Sequence, residues 1–291
     1  MKKLPSLTSR LANAPKPFLK WAGGKTQLLS QLQPLFPRQF SGYHEPFVGS
    51  AAVYFHLYNL IQSGELKASL KRVSLTDSNE ELINCYRAVR DDVEAVIEIL
   101  ADHKENHSRR YYYAVRAERQ PHQNNVERAA RLIYLNKTCY NGLYRVNRKG
   151  LFNVPMGRYK NPGIFDPDEL RAASRALDGV SIEVADFRDV LKRARKDDFV
   201  YFDPPYYPLS KTASFTSYTM QPFGKFEHES LALVARALDE KGCRVMVNNS
   251  WSDYTRRLYF GFKRVELKAN RSINSKAAKR GKISEMVVVN K

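Results

Sequence analysis

Cysteine is scarce in this chain, with only Cys85, Cys139 and Cys243 among 291 residues. An odd number at such long spacings excludes a disulfide framework and zinc-ligand motifs, and it fits a reducing, cytoplasmic compartment. The six histidines fall at no metal-ligand spacing and have no Ser or Cys partner in sequence, so they are read as structural and no metal is expected. No apolar run approaches the roughly 20 residues that span a bilayer, and no strongly amphipathic basic helix stands out, so a membrane role is not expected. The opening "MKKLPSLTSRLANAPKPF" has basic residues but no continuous apolar stretch, and reads as a lead-in rather than a signal peptide. Internal repeats and low-complexity tracts are absent. Acidic residues are also in deficit: 30 Asp and Glu face 48 Lys and Arg, a formal charge of +18. That balance calls for an anionic partner. The basic clusters "RRYYYAVRAER", "YNGLYRVNRKG" and "NRSINSKAAKRGK" are interleaved with aromatics or polar residues, and 17 tyrosines favour nucleic acid over a membrane surface.

Complete nucleotide loops are missing as well. "PFLKWAGGKTQLL", residues 17–29, ends like a phosphate loop at Gly24, Lys25 and Thr26, but Leu19 stands where the first glycine is required. Pro15 and Pro17 interrupt any preceding strand. An ATPase is therefore disfavoured. "YHEPFVGSAAVYF" reads as strand, turn and helix with one glycine, far short of the G-x-G-x-x-G of dinucleotide folds.

What is present is a series of apolar, β-branched runs that predict strands: "YHEPFVG", "RVSLTD", "VSIEVAD", "DFVYFDPPY", "CRVMVNNS", "FKRVELK" and "SEMVVVNK". Helical patterns lie between them, including "SNEELINCYRAVRDDVEAVIEIL" and "EHESLALVARALDEKG". Alternation of this kind predicts an α/β fold with a mostly parallel sheet, and the helix-free connection between the last two strands predicts an antiparallel edge. From about Glu80 to about Pro162 no convincing strand occurs. We read residues 80–168 as an inserted helical module and 1–79 with 169–291 as a discontinuous sheet domain.

"DPPYYP", residues 203–208, carries the most chemistry. Asp203 follows a buried strand, where α/β sheets open toward ligands. The two prolines hold the chain extended and donate no N–H, leaving carbonyls to accept, while Tyr206 offers an aromatic face. Two acceptors beside a stacking ring fit an exocyclic amino group on a planar heterocycle; an ordinary Asp-Pro turn is the bland alternative. Asp77, closing "SLTD", suits either a ribose diol or the approach to a helix capped by Ser78 or Asn79. "KWAGGK" suits a ligand with a carboxylate for Lys25 and an aryl or sulfonium group for Trp21. A cofactor combining ribose, adenine, carboxylate and sulfonium is S-adenosylmethionine.

Taken in order, "FLKWAGGK", "EPFVGS", "LTDSN", "YLNKTCYNGLYRVNRKGLFNVPMGRYKNP", "YFDPPYYPLSKTASFTSY" and "NRSINS" span nearly the whole chain, which resembles the Dam-type DNA adenine methyltransferases of the alpha group, acting on GATC. The resemblance implies a Rossmann-like, S-adenosylmethionine-dependent methyltransferase sheet with an inserted target-recognition domain. It implies that Trp21, Lys25, Asp77 and Asp203 contact the cofactor, flanked by Phe47, Gly49 and Phe187. It further implies that Asp203, Pro204, Pro205 and Tyr206 hold an adenine flipped out of double-stranded DNA. Among the DNA contacts, Arg145 would read a guanine and Lys20 the first guanine. Tyr140 and Asn141 would lie at the opened base step, with Leu143, Pro155 and Tyr159 near the thymine and backbone. A monomer without an obligate protein partner suits this family. Transfer to cytosine N4 or to an RNA base, and a catalytically silent DNA-binding repressor, are the competing readings.

Overall fold

The structure, a computed structural model, describes residues 14–118, 124–208, 223–270 and 282–290. The expected lead-in, the later part of "YFDPPYYPLSKTASFTSY" and nearly all of "NRSINSKAAKRGK" lie outside the described residues. The seven expected strands all form: β1 (Tyr43–Glu45), β2 (Val73–Asp77), β3 (Ser181–Val184), β4 (Phe199–Phe202), β5 (Arg244–Ser250), β6 (Lys263–Asn270) and β7 (Lys282–Val289). They make one sheet in the order β3-β2-β1-β4-β5-β7-β6. Pairings β1–β2, β1–β4 and β4–β5 are parallel, whereas β7 runs antiparallel to both β5 and β6. The antiparallel pair thus sits at the sheet edge, but the reversed strand is β7, one place in; β6 takes the outermost position.

By contacts the chain divides into two compact units, Met1–Gly24 with Gly49–Glu65 and Asn79–Val184, and Lys25–Val48 with Leu66–Ser78 and Ala185–Lys291. The first is mainly helical: α1 (Ala52–Gln62), α2 (Glu80–Asp91), α3 (Val93–Glu105), α4 (Arg109–Ala117), α5 (Asn125–Thr138) and α6 (Pro167–Leu177). The single helix expected from "SNEELINCYRAVRDDVEAVIEIL" is broken at Asp92, whose φ −147°, ψ 57° is not helical. Asn79, not Ser78, caps α2 by accepting from the Leu82 amide at 3.1 Å. Asn124 and Glu127 close a capping box at the start of α5, which buries Leu132, Ile133 and Leu135.

In the second unit, α7 (Lys225–Glu240) lays Leu231, Ala235 and Leu238 over one sheet face, where Val200, Phe202, Val245 and Val247 meet them. Strand alternation turns Tyr201 and Asp203 to the opposite face. The N-terminal ends of the parallel strands are pinned by one buried carboxylate. Asp198, fully buried just before β4, accepts from Arg72 Nη2 at 2.6 Å, the Arg195 amide at 2.8 Å and His44 Nε2 at 3.1 Å. His44 Nδ1 lies 2.9 Å from Ser74 Oγ. Gly42 is required here, because a Cβ would sit 2.7 Å from Asp198 Oδ1. With that end locked, the C-terminal ends of β1, β2 and β4 open where Phe47, Asp77 and Asp203 stand. Among the described residues no helix is long and apolar enough to cross a membrane, and the three cysteines are buried thiols without a disulfide.

Candidate active site

The site in the second unit is organised around Asp203, the residue after β4. Its Oδ2 accepts from the Lys25 ammonium at 2.6 Å, and Lys25 is itself buried. Its Oδ1 is buried and has no hydrogen-bond partner among the described residues. Burial pushes the Asp203 carboxyl up, the Lys25 charge pulls it part of the way back, and the balance is about 6. Lys25 Nζ also lies over the Tyr206 ring, 5.0 Å from its centroid. The Tyr206 hydroxyl donates to Glu285 Oε2 at 2.6 Å. The chain beyond is held as well: Tyr207 N–H donates to Asn249 Oδ1 at 3.0 Å, and Ser250 Oγ donates to the Tyr207 carbonyl at 2.7 Å. Pro204 is buried and Pro205 exposed.

Phe202, the residue before Asp203, meets Phe47 edge-on with centroids 6.4 Å apart. Phe47, after β1, stacks on Phe187 with centroids 5.5 Å apart, and Phe223 meets Phe47 edge-on at 5.6 Å. Asp77 closes β2, and its carbonyl accepts from Ala185 at 3.2 Å.

Within the first unit, the "WAGG" segment is a turn: the Gly24 amide donates to the Trp21 carbonyl at 3.0 Å, with Gly23 at φ +79°. Its glycines serve backbone geometry, not a phosphate cradle. Trp21 stacks on Tyr144 at 5.2 Å and crowds Gly49, where a Cβ would stand 3.1 Å from the indole. Residues 139–157 form an irregular hairpin bridged at Cys139–Met156 and Val146–Phe152. It displays Tyr140, Asn141, Arg145 and Pro155 exposed, with Leu143 half-buried, and Tyr159 just beyond it and Lys20 are exposed in the same unit. Arg145 is braced by Asn153, Nε to Oδ1 at 2.7 Å. The Lys20 ammonium lies 4.8 Å from the Tyr159 centroid.

Sequence reasoning missed two residues of this framework. Asn136, fully buried, accepts from the Lys20 amide at 2.8 Å and donates to the carbonyls of Lys20 at 2.7 Å and Gly142 at 3.0 Å. It ties the Lys20 segment to the turn that carries Tyr140 and Asn141. Glu285 is the other; an acid in the apolar run "SEMVVVNK" was the available signal. Lys25, expected to meet a ligand carboxylate, pairs with Asp203 in the structure.

A strand-end Asp-Pro-Pro-Tyr with a buried carboxylate oxygen that has no partner among the described residues marks the site, and comparison with known proteins decides the class. Residues 21–273 match the family described as D12 class N6 adenine-specific DNA methyltransferase. This chain belongs to that family. The methyltransferase is 44% identical to the Type II methyltransferase M.MjaIII of Methanocaldococcus jannaschii over 94% of this chain and 99% of the relative. It is 42% identical to the Type II methyltransferase M1.LlaDCHI of Lactococcus lactis subsp. cremoris, covering 94% and 95%. The DNA adenine methylase of Escherichia coli (strain K12) is 35% identical, again covering 94% and 95%.

The enzyme therefore uses S-adenosylmethionine, which supplies a methyl group on positively charged sulfur. The residues present suit that cofactor: an acid ending β2 could accept from ribose hydroxyls, and the buried Lys25 could meet a carboxylate. A carboxyl at about 6 carries a pH signature. Asp203 accepts hydrogen bonds best when ionised, so turnover should hold on the alkaline side and fall as pH drops through about 6, toward about tenfold per unit well below it. Single-turnover rates between pH 5 and 8 check this; a flat profile would separate Asp203 ionisation from the rate.

Proposed function

We propose that the methyltransferase flips an adenine out of double-stranded DNA, within GATC, and methylates its amino nitrogen at Asp203-Pro204-Pro205-Tyr206. The observation that carries this reading is the buried, unfilled acceptor at Asp203 Oδ1, set beside Tyr206 in a family of adenine-N6 enzymes. Adenine's amino lone pair is delocalised into the ring. Donation of its N–H groups to Asp203 and the Pro204 carbonyl draws the nitrogen toward tetrahedral geometry and frees the pair to attack. Tyr206 supplies the stacking face that compensates for lost base stacking. The amino proton becomes acidic only as the new N–C bond forms, so no strong base is needed beforehand. Trp21, Lys25, Asp77 and Asp203 serve the cofactor in this reading, with Phe47, Gly49 and Phe187 flanking it.

Residues 80–168 act as the target-recognition module. Arg145 reads a guanine, Lys20 reads the first guanine, and Tyr140, Asn141, Leu143, Pro155 and Tyr159 manage the opened step and its neighbours. Support comes from exposure, since six of these seven side chains are exposed and Leu143 is half-buried. Three cysteines without a disulfide and the net charge of +18 fit a monomer working on DNA in the cytoplasm.

DNA from cells that lack adenine methylation but express this protein tests the sequence choice. It should resist a nuclease blocked by methylated GATC and succumb to one that requires it. The reverse cleavage pattern would remove GATC from the proposal. Arg145→Ala should relax choice at one guanine by about 1–3 kcal/mol. Methylation rates on duplexes substituted at each position measure it; undiminished discrimination at every position would strip Arg145 of this role.

A further inference from the structure

The mechanism leaves Glu285 without a task, although its Oε2 takes a 2.6 Å hydrogen bond from the hydroxyl of Tyr206. Glu285 belongs to β7, where it pairs with Ser250 of β5 and Leu267 of β6. It is thus fixed by strands on both sides. Glu285 is half-buried where the strand passes from half-buried Ser284 into the buried run Met286–Val289, and its carboxylate is turned to the Tyr206 hydroxyl. Strand packing alone would be served as well by an apolar residue there, without the cost of desolvating a charge.

We propose that Glu285 is a positioning residue that holds the Tyr206 ring at the angle needed to stack the target base. This rests on the reading of Asp203–Tyr206 as the adenine site. Three restraints then act on Tyr206: the two prolines set its backbone, the Lys25 ammonium lies over its ring, and Glu285 anchors the far end of the phenol. The phenol remains protonated, since burial raises its pKa well above the ordinary range and the nearby Asp203 and Glu285 charges push the same way. The bond is therefore a neutral donor to a carboxylate, a strong and directional class. Without it, the swing of the ring about the Cα–Cβ bond is limited only by packing, and part of the stacking surface is displaced.

The test uses the full-length protein with duplex DNA carrying the fluorescent base 2-aminopurine at the target position. Glu285→Ala is expected to lower the single-turnover methylation rate on the order of tenfold, the worth of one hydrogen bond to a charged group. DNA affinity should stay unchanged, and the quenching of the flipped 2-aminopurine should weaken. Glu285→Gln keeps an acceptor oxygen and should recover most of both signals. Tyr206→Phe should match Glu285→Ala, and combining them should add nothing. A Glu285→Ala enzyme with wild-type rate and quenching would overturn the role, as would fully multiplicative losses in the double variant. Should Glu285→Ala fail to fold, Glu285→Gln and Tyr206→Phe decide: a Tyr206→Phe enzyme indistinguishable from wild type leaves Glu285 nothing to hold. Failure of the underlying reading looks different, because Tyr206→Ala would then leave methylation intact.

Discussion

Asp203→Ala should reduce methyl transfer on the order of a thousandfold, as removal of a preorganised acceptor at a reacting group does. Binding of duplex DNA should change by no more than a few-fold. The separation follows from where the charges lie. Asp203 has one oxygen on Lys25 at 2.6 Å and the other buried with no partner among the described residues. The proposed DNA contacts Lys20 and Arg145 belong to the other compact unit, and phosphate affinity is spread over many Lys and Arg residues. Asp203→Asn is the sharper variant. It preserves shape but sets an amide, with two N–H donors of its own, in place of an acceptor-only group. Its rate should fall nearly as far, while its fold should suffer less than that of the alanine variant, in which Lys25 is left buried without this carboxylate. Rates from labelled cofactor and affinities from fluorescence anisotropy give both numbers. A variant that methylates within about tenfold of wild type would show that Asp203 is not the acceptor.

The largest stability loss is expected at the opposite end of the same strand. Asp198→Ala should cost about 3–5 kcal/mol in urea unfolding, because it strands the partners of a buried carboxylate. Asp198 joins the segment before β2 through Arg72, β1 through His44 and the approach to β4 through the Arg195 amide. Burial holds the His44 pKa below its ordinary value despite the pull of Asp198. The neutral ring must donate from Nε2 to Asp198, so Nδ1 accepts from the Ser74 hydroxyl. The sign with pH follows: the unfolded histidine takes up its proton first, so this contribution is present above about pH 6.5 and is lost as pH falls below it. The folded fraction of Asp198→Ala should still methylate, since the network lies at the end of the strands away from Asp203. A variant as stable as wild type would mean that the backbone contacts alone hold these strands together.

Much of this architecture was legible in the residues. The parallel strands β1, β2, β4 and β5 announce themselves as apolar runs because buried parallel strands must be apolar on both faces. Gly242 marked the end of α7, and it does take φ +83°. The break at Asp92 was not legible. Leu82, Tyr86 and Val89 continue into Val96, Leu100 and His103 at helical spacing, so the buried stripe runs on although the backbone does not. Nor could periodicity place β7 between β5 and β6, because strand order is settled by contacts distant in sequence. At the site, the strand-end position of Asp203 follows from "DFVYF" alone. The Lys25–Asp203 and Tyr206–Glu285 partnerships join residues 178 and 79 positions apart, beyond the reach of any local pattern.

The central claim is that Asp203 receives the amino group of an adenine and so directs the methyl group to that nitrogen. Purified enzyme, S-adenosylmethionine and a GATC-containing duplex, followed by digestion to nucleosides and mass spectrometry, test it in one step. The expected result is N6-methyladenine from the wild type, at the GATC adenine, and almost none from Asp203→Asn. Methyl groups on cytosine, or none on any base with the wild-type protein, would contradict it.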